Sequence, residues 1–387
     1  MTDGLNHRPT WIEIDLDAIS NNFQEIKRLA TGKKTMGIVK ADAYGHGSFE
    51  VANVLIENGV DYLGVAILEE AIALREAGIT HPIMVLGHTP IEQIQDVVYW
   101  DIIQTAYSRD YIIALDREGR KQKKPVKIHI KVDTGMGRIG FLEEEEVVEV
   151  IKEIQSLSHI ILDGIFTHFS VADQRDKSYT EGQLAAFHNI LRALEAEGIH
   201  IPVKHCANSA AIISMPQTHL DLVRPGIALY GWYPSKEIPK ENILLKPAMS
   251  FKTRIAHIKR VPKDTSISYG RKFICQREST IATLPVGYAD GYSRMLTGKA
   301  QVLIKGKRVP VVGAICMDQC MIDITDVPDV NLGDEVILFG EGLPVEELAD
   351  QLGTISYEIL CMINKRVPRI YRRNEEIIEI KSSIVSH

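Results

Sequence analysis

The chain has 387 residues, 45% hydrophobic and 25% charged, the balance of a folded globular protein long enough for two domains. Acidic side chains outnumber basic ones by 51 to 44, a formal net charge of −7, which argues against a nucleic-acid partner. Five cysteines without a regular framework, a polar N-terminus and no run of roughly 20 apolar residues point to a cytoplasmic protein without disulfides, secretion signal or membrane span.

Trp11–Leu16 alternates like a β-strand and is expected to join the C-terminal part of the chain. Met36–Lys40, Tyr62–Ala66, Ile83–Leu86, Val126–Val132, Ile160–His168, Val203–Cys206 and Leu222–Arg224 read as buried strands. Helical patterns lie between them at Phe49–Asn58, Leu68–Ala77, Glu143–Ser156 and Glu181–Glu197. In the last of these Leu184, Phe187, Leu191 and Leu194 keep one face apolar, and Thr180 with Gln183 reads as a capping box. The four acids Glu143–Glu146 complement a helix dipole and face solvent.

Alternating strands and helices imply a parallel sheet with crossover helices. Seven or eight such units over about 230 residues fit a closed (β/α)8 barrel of the TIM type better than an open sheet. The spacing in Lys40-Ala-Asp-Ala-Tyr-Gly-His-Gly47 is wrong for a dinucleotide fingerprint, which removes a nicotinamide enzyme.

Around Tyr233–Pro247 the pattern changes to short alternating runs: Met249–Val261, Ser279–Val286, Ala300–Ile304, Val309–Ala314, Met321–Ile324 and Glu335–Phe339. Val345–Leu352 and Ser356–Ile363 look helical among them. The expected architecture is α/β: an N-terminal strand (1–12) joining a mainly β C-terminal domain (245–387), and a barrel over 13–240. Cys316 and Cys320 have no companions to complete a tetrahedral set, so no metal is expected.

Several polar residues close the strands, and the C-terminal strand ends are where a parallel barrel builds its site. Lys40 follows an apolar run and could serve as a desolvated Schiff-base amine, although most lysines at strand ends are simply solvated. Arg224 precedes Pro225-Gly226-Ile227, which reads either as a phosphate cradle or as an ordinary strand–turn–helix with a surface arginine. His168, Asn208-Ser209 and Arg138, in Lys131-Val-Asp-Thr-Gly-Met-Gly-Arg138, close further strands. A lone histidine on a strand is usually a core residue, but this many polar ends at one barrel mouth describe a site.

Val39–Gly47 closely resembles the cofactor-lysine motif of the alanine racemase family. Lys131–Gly140, Leu222–Gly231, Tyr269-Gly270, Pro285–Tyr292 and Cys316-Met317-Asp318 resemble its other segments in the same order, over essentially the whole chain. The resemblance implies pyridoxal 5′-phosphate held covalently by Lys40. Its phosphate would lie against Tyr44, Ser209, Tyr357 and the N–H groups of Gly226 and Ile227, and its ring nitrogen against Arg224, with His168 beside that arginine. Arg138 would contact the substrate carboxylate, and Lys131 matches the position that becomes a carbamate in this family.

The resemblance further implies a homodimer with shared sites that interconverts L- and D-alanine and supplies D-alanine for peptidoglycan. Lys40 would serve the D-face and Tyr269, from the partner subunit, the L-face. A tyrosine of pKa ~10 is a poor base at neutral pH, so cationic neighbours are expected to lower it, with His168 and Arg224 as candidates. Met317, Tyr44, Tyr288 and Tyr357 would crowd the space beyond the α-carbon and leave room for a methyl group. Two rivals fit less well. A decarboxylase on the same barrel would set a carboxylate where Arg224 stands. A non-catalytic pyridoxal-phosphate carrier would not need the β domain that bears Tyr269.

Overall fold

A computed structural model describes residues 8–382, which fold into two compact units. One comprises the described residues up to Asp17, Tyr44–His46 and the chain from Pro247 on; the other comprises Ala18–Ala43 and Gly47–Lys246.

The first described element is β1 (Thr10–Asp15), and the helix Leu16–Leu29 follows. Ile19, Phe23 and Ile26, at helical spacing, are fully buried on that helix, the first of the barrel. The second unit then lays down eight parallel strands: β2 (Lys34–Ile38), β3 (Tyr62–Val65), β4 (Ile83–Val85), β5 (Ile103–Ala106), β6 (Val126–Lys131), β7 (Ile160–Phe166), β8 (Val203–His205) and β9 (Leu222–Val223). Their order is β8-β7-β6-β5-β4-β3-β2-β9. Between β8 and β9 two backbone bonds complete the ring, from Asp221 N–H to Lys204 O and from Arg224 N–H to Ala207 O, each 3.0 Å. The expected parallel barrel is therefore present.

Some local expectations need correcting. β5 was not among the strands expected, because Gln104 and Thr105 break its apolar run; both are fully buried and hydrogen-bonded inside the barrel. The helix Ser178–Ala196 starts before the expected capping box, so Thr180 is a buried residue of its first turn and Gln183 accepts from Ser170 N–H instead. The chain at Ile160–His168 leaves the sheet at Phe166, two residues before His168.

The other unit is built on β10 (Met249–Arg254), β11 (His257–Val261), β12 (Ser266–Ile267), β13 (Phe273–Ile274), β14 (Ser279–Leu284), β15 (Gln301–Ile304), β16 (Lys307–Val312), β17 (Cys320–Asp323), β18 (Glu335–Phe339), β19 (Arg369–Arg373) and β20 (Glu376–Lys381). Ten strands form one sheet, β11-β14-β17-β16-β15-β18-β10-β1-β19-β20, and β12 pairs with β13 separately. β1 lies between β10, antiparallel, and β19, parallel, so the first strand of the chain is an interior strand of this sheet. The run expected over Met249–Val261 is two strands, since His257–Val261 crosses to pair with β14 at the sheet edge. Alternation of buried and partly buried residues along β10 follows from one face packing on a core that includes Phe251 and Phe339, 5.8 Å apart between ring centroids.

Candidate active site

Lys40 lies two residues beyond β2 and opens a turn in which Ala41, Asp42, Ala43 and Tyr44 all have left-handed backbone angles, φ 51–55°. A left-handed turn of non-glycine residues costs roughly 1–2 kcal/mol per residue, so fixed partners must hold it. Glu70 provides one, its carboxylate accepting from Ala41 N–H at 2.6 Å and Ala66 N–H at 2.8 Å. Asp42 provides another by accepting from Ser48 N–H at 2.9 Å. The strain sits at the lysine expected to carry chemistry, and neither carboxylate stood out in the sequence.

Beyond β6, the Asp133 carboxylate accepts four backbone N–H bonds, from Gly135, Met136, Gly137 and Arg138, at 2.8–3.0 Å. The loop is thereby wound around one anion, and Arg138 emerges exposed at its end. Lys131 is buried at the end of β6, its Nζ donating to Val132 O at 2.5 Å and lying 5.4 Å from the centre of the Phe166 ring. Burial above all, with Arg224 and Arg138 adding to it against the pull of Asp133, lowers its pKa to about 7.

Arg224 is buried after β9 and donates to Thr167 O (2.8 Å), Cys206 O (3.1 Å), His205 Nδ1 (2.7 Å) and His168 Nδ1 (3.2 Å). Its guanidinium lies 5.3 Å from the Phe166 ring centre, and Phe166 stacks on His205 at 4.7 Å. Burial lowers the Arg224 pKa to about 10, which leaves it charged at neutral pH. Burial, then the Arg224 charge, drives His168 and His205 well below the usual histidine range. His168 is therefore neutral at pH 7 and does not serve as the second cation expected to acidify a tyrosine. Ser209 opens the helix Ser209–Ser214 and its Oγ accepts from Gly226 N–H at 2.8 Å and Ala228 N–H at 3.4 Å, so hydroxyl and amides gather at one spot as an anion site requires.

The buried histidines carry a prediction. A histidine neutral in the fold and protonated in the unfolded chain stabilises fully above pH 6.5, and that contribution is lost as pH falls below it. For fully buried His205, held well below the ordinary value, urea unfolding of the cofactor-free chain should lose about 1.4 kcal/mol per pH unit between pH 6 and 5, and His129, lowered by burial against the pull of Asp163, adds a loss of the same sign. A flat stability curve over that window would show that these rings are charged in the native state.

The mainly β unit holds the remaining candidates. Tyr44 is buried with its ring centre 5.9 Å from that of Tyr357, on the helix Ser356–Met362, and burial pushes its hydroxyl far above the ordinary tyrosine pKa. Gly45 follows at φ 82°, where a Cβ would stand 2.6 Å from Leu360 O. Tyr269 is 72% exposed in a turn after Ser268, whose hydroxyl donates to Ala314 O at 2.6 Å. Tyr288 and Met317, also exposed, sit in loops joined by Tyr288 N–H to Cys316 O (3.1 Å) and Ala289 N–H to Met317 O (3.0 Å). Arg366 braces both loops by donating to Asp290 and to Asp318, each at 2.6 Å. The turn before Tyr269 and the loop of Tyr288 are thus both tied to the segment 314–317.

A closed ring of eight parallel strands whose ends carry lysine, arginine and amide donors, in a chain with a second, mainly β unit, is the arrangement of a (β/α)8-barrel enzyme. The family model "Alanine racemase, N-terminal domain" matches residues 14–234, and "Alanine racemase, C-terminal domain" matches 248–371. Alanine racemase 1 of Clostridium acetobutylicum is 51% identical over 97% of this chain and 99% of its own length. Alanine racemase of Methanococcus maripaludis is 53% identical over 94% of this chain and 98% of its own. A solved alanine racemase from Clostridium difficile 630 superposes with a TM-score of 0.96 at 45% identity, covering 98% of this chain and 100% of that one. One from Bacillus anthracis with bound L-Ala-P gives 0.91 at 39% identity, covering 98% and 99%. The chain belongs to the alanine racemase family. Among the described residues no helix is long and apolar enough to cross a membrane.

Proposed function

We propose that this protein interconverts L- and D-alanine with pyridoxal 5′-phosphate, as a cytoplasmic homodimer that supplies D-alanine for peptidoglycan. Full-length family membership supports the activity, and Arg224 carries the choice of chemistry. It is a buried, charged arginine whose hydrogen bonds go to two carbonyls and two neutral histidines and, among the described residues, to no carboxylate.

The side chains fit this cofactor. Lys40 offers an amine to its aldehyde, and Ser209 with the amides of Gly226 and Ile227 suits its phosphate, to which the family resemblance adds the hydroxyls of Tyr44 and Tyr357. Arg224, steadied by His168, suits its ring nitrogen: a guanidinium donates a hydrogen bond there but does not readily give up a proton. When bound, pyridoxal phosphate withdraws electrons from the substrate α-carbon and makes its proton acidic. With Arg224 as donor that withdrawal is moderate, which favours returning a proton over side reactions.

Lys40 Nζ then holds or returns the proton on the D-face, and Tyr269 Oη of the partner subunit does so on the L-face. Arg138 binds the substrate carboxylate from the loop that Asp133 organises. Lys131, with pKa about 7, carries a substantial neutral fraction at pH 7, the form that adds carbon dioxide; the resulting carbamate would orient Arg138. Met317, with Tyr44, Tyr288 and Tyr357, limits the side chain to a methyl group. An extra substituent costs only ~1–3 kcal/mol in such a pocket, so slow turnover of serine is expected.

The test is incubation of the cofactor-loaded protein with L-alanine in heavy water, where D-alanine should form with deuterium at the α-carbon. Release of carbon dioxide without D-alanine would instead establish the decarboxylase. Arg224→Glu should depress racemisation and raise formation of the oxo acid, because a carboxylate keeps the ring nitrogen protonated and strengthens the electron withdrawal. Full racemase activity in that variant, with no oxo acid, would remove the role given to Arg224.

A further inference from the structure

Barrels of this type usually fill their interior with branched apolar side chains. Here a column of polar groups runs through it instead. Asp163 Oδ2 lies 3.0 Å from His129 Nε2, His129 Nδ1 lies 2.8 Å from His205 Nε2, and His205 Nδ1 lies 2.7 Å from Arg224 Nη1. Both histidines are fully buried.

The two ends of this column determine the direction of every bond in it. An arginine only donates, so His205 Nδ1 accepts and its proton resides on Nε2. That proton is donated to His129 Nδ1, which leaves the His129 proton on Nε2, facing a carboxylate that only accepts. All three bonds therefore point from Arg224 toward Asp163.

The backbone is shaped for this arrangement. Ile128 pairs with Leu162 but His129 pairs with Gly164, so Asp163 is the extra residue of a β-bulge, a device that re-aims a side chain. At Gly164 a Cβ would stand 2.5 Å from His129 Nδ1 and 2.7 Å from Val203 O, so any other residue would displace the ring from the column. Asp163 lies toward the N-terminal ends of the strands. It accepts from Tyr62 at 3.4 Å, with Lys127 near it and Lys34 over the Tyr62 ring. Lys131 and Arg138 are felt by Arg224 at the opposite end, where His168 also feels Lys40. The carboxylate reached through hydrogen bonds from the buried guanidinium is thus two imidazoles away.

We infer that Asp163 is a positioning residue for Arg224: through His129 and His205 it orients the guanidinium and supplies its counter-charge from the far side of the barrel. This rests on the reading that Arg224 serves the cofactor ring. Asp163→Asn keeps an acceptor oxygen toward His129 and removes only the charge. In that variant kcat should fall about tenfold, with KM within about twofold and thermal midpoint nearly unchanged, in line with the loss of an outer partner of a site residue. Should this variant prove too unstable to purify, His129→Gln makes the same comparison.

A second measurement needs no cofactor. In 15N-histidine-labelled protein, His129 and His205 should both show protonated Nε2 and bare Nδ1 from pH 6 to 8. An imidazolium or a reversed tautomer at either position would overturn the proposal, as would wild-type kcat in Asp163→Asn while Arg224→Lys changes the pH profile of kcat. If neither variant alters turnover, the role of Arg224 itself has failed and the relay falls with it.

Discussion

Reducing the cofactor-loaded protein with borohydride should place a pyridoxyl group on Lys40 and on no other lysine, and Lys40→Ala should lower racemisation by roughly 10³-fold or more. Peptide mapping after reduction reads the first result, and polarimetry the second. The size of the effect follows from two roles in one amine, cofactor attachment and proton transfer, both removed by the substitution. Substituting Glu70 or Asp42 should act more weakly, since each releases the left-handed turn that presents Lys40 without deleting the amine. An adduct on another lysine would remove the foundation of the proposed function.

Mixing Lys40→Ala chains with Tyr269→Ala chains should restore activity to roughly a quarter of wild type. Each homodimer alone lacks one base at both sites and is nearly inactive. Statistical exchange makes half the dimers mixed, and in each of these one site lacks both bases while the other retains both. The exposure of Tyr269, at 72%, accords with a residue that acts toward a partner. Subunit exchange is verified by native mass spectrometry. If exchange is complete and no activity returns, Tyr269 acts within its own chain or is not the base.

Much of the frame was legible because burial leaves a mark on local composition. Strands covered on both faces lean toward apolar runs, and seven of the eight barrel strands were legible that way, although β6 and β8 interleave Lys127, His129, Lys131, Lys204 and His205 with their apolar residues. β5 hid because Gln104 and Thr105 find partners inside the barrel, so its burial was not matched by hydrophobicity. The polar residues at strand ends were visible for the same reason in reverse: a lysine or arginine closing an apolar run breaks the pattern. Asp133 and Glu70 were missed because their work is to accept backbone N–H bonds, and a carboxylate that organises a loop looks in sequence like any surface acid.

The barrel, the change to a mainly β region after it and the family were legible in the chain alone, which also offered Lys40, Arg138, Arg224 and Tyr269 as candidates. These depend on periodicity and on motifs whose residues are neighbours in the chain. Only the tertiary structure decided that β1 is an interior strand of the C-terminal sheet, that Lys40 opens a left-handed turn, and that His168 is neutral. It alone joined Asp163 to His129 and His205, which are 34 and 76 residues apart along their two bonds. Hydrogen-bond direction and desolvation depend on what surrounds a group in space, and residues so far apart in the chain meet only when the barrel closes.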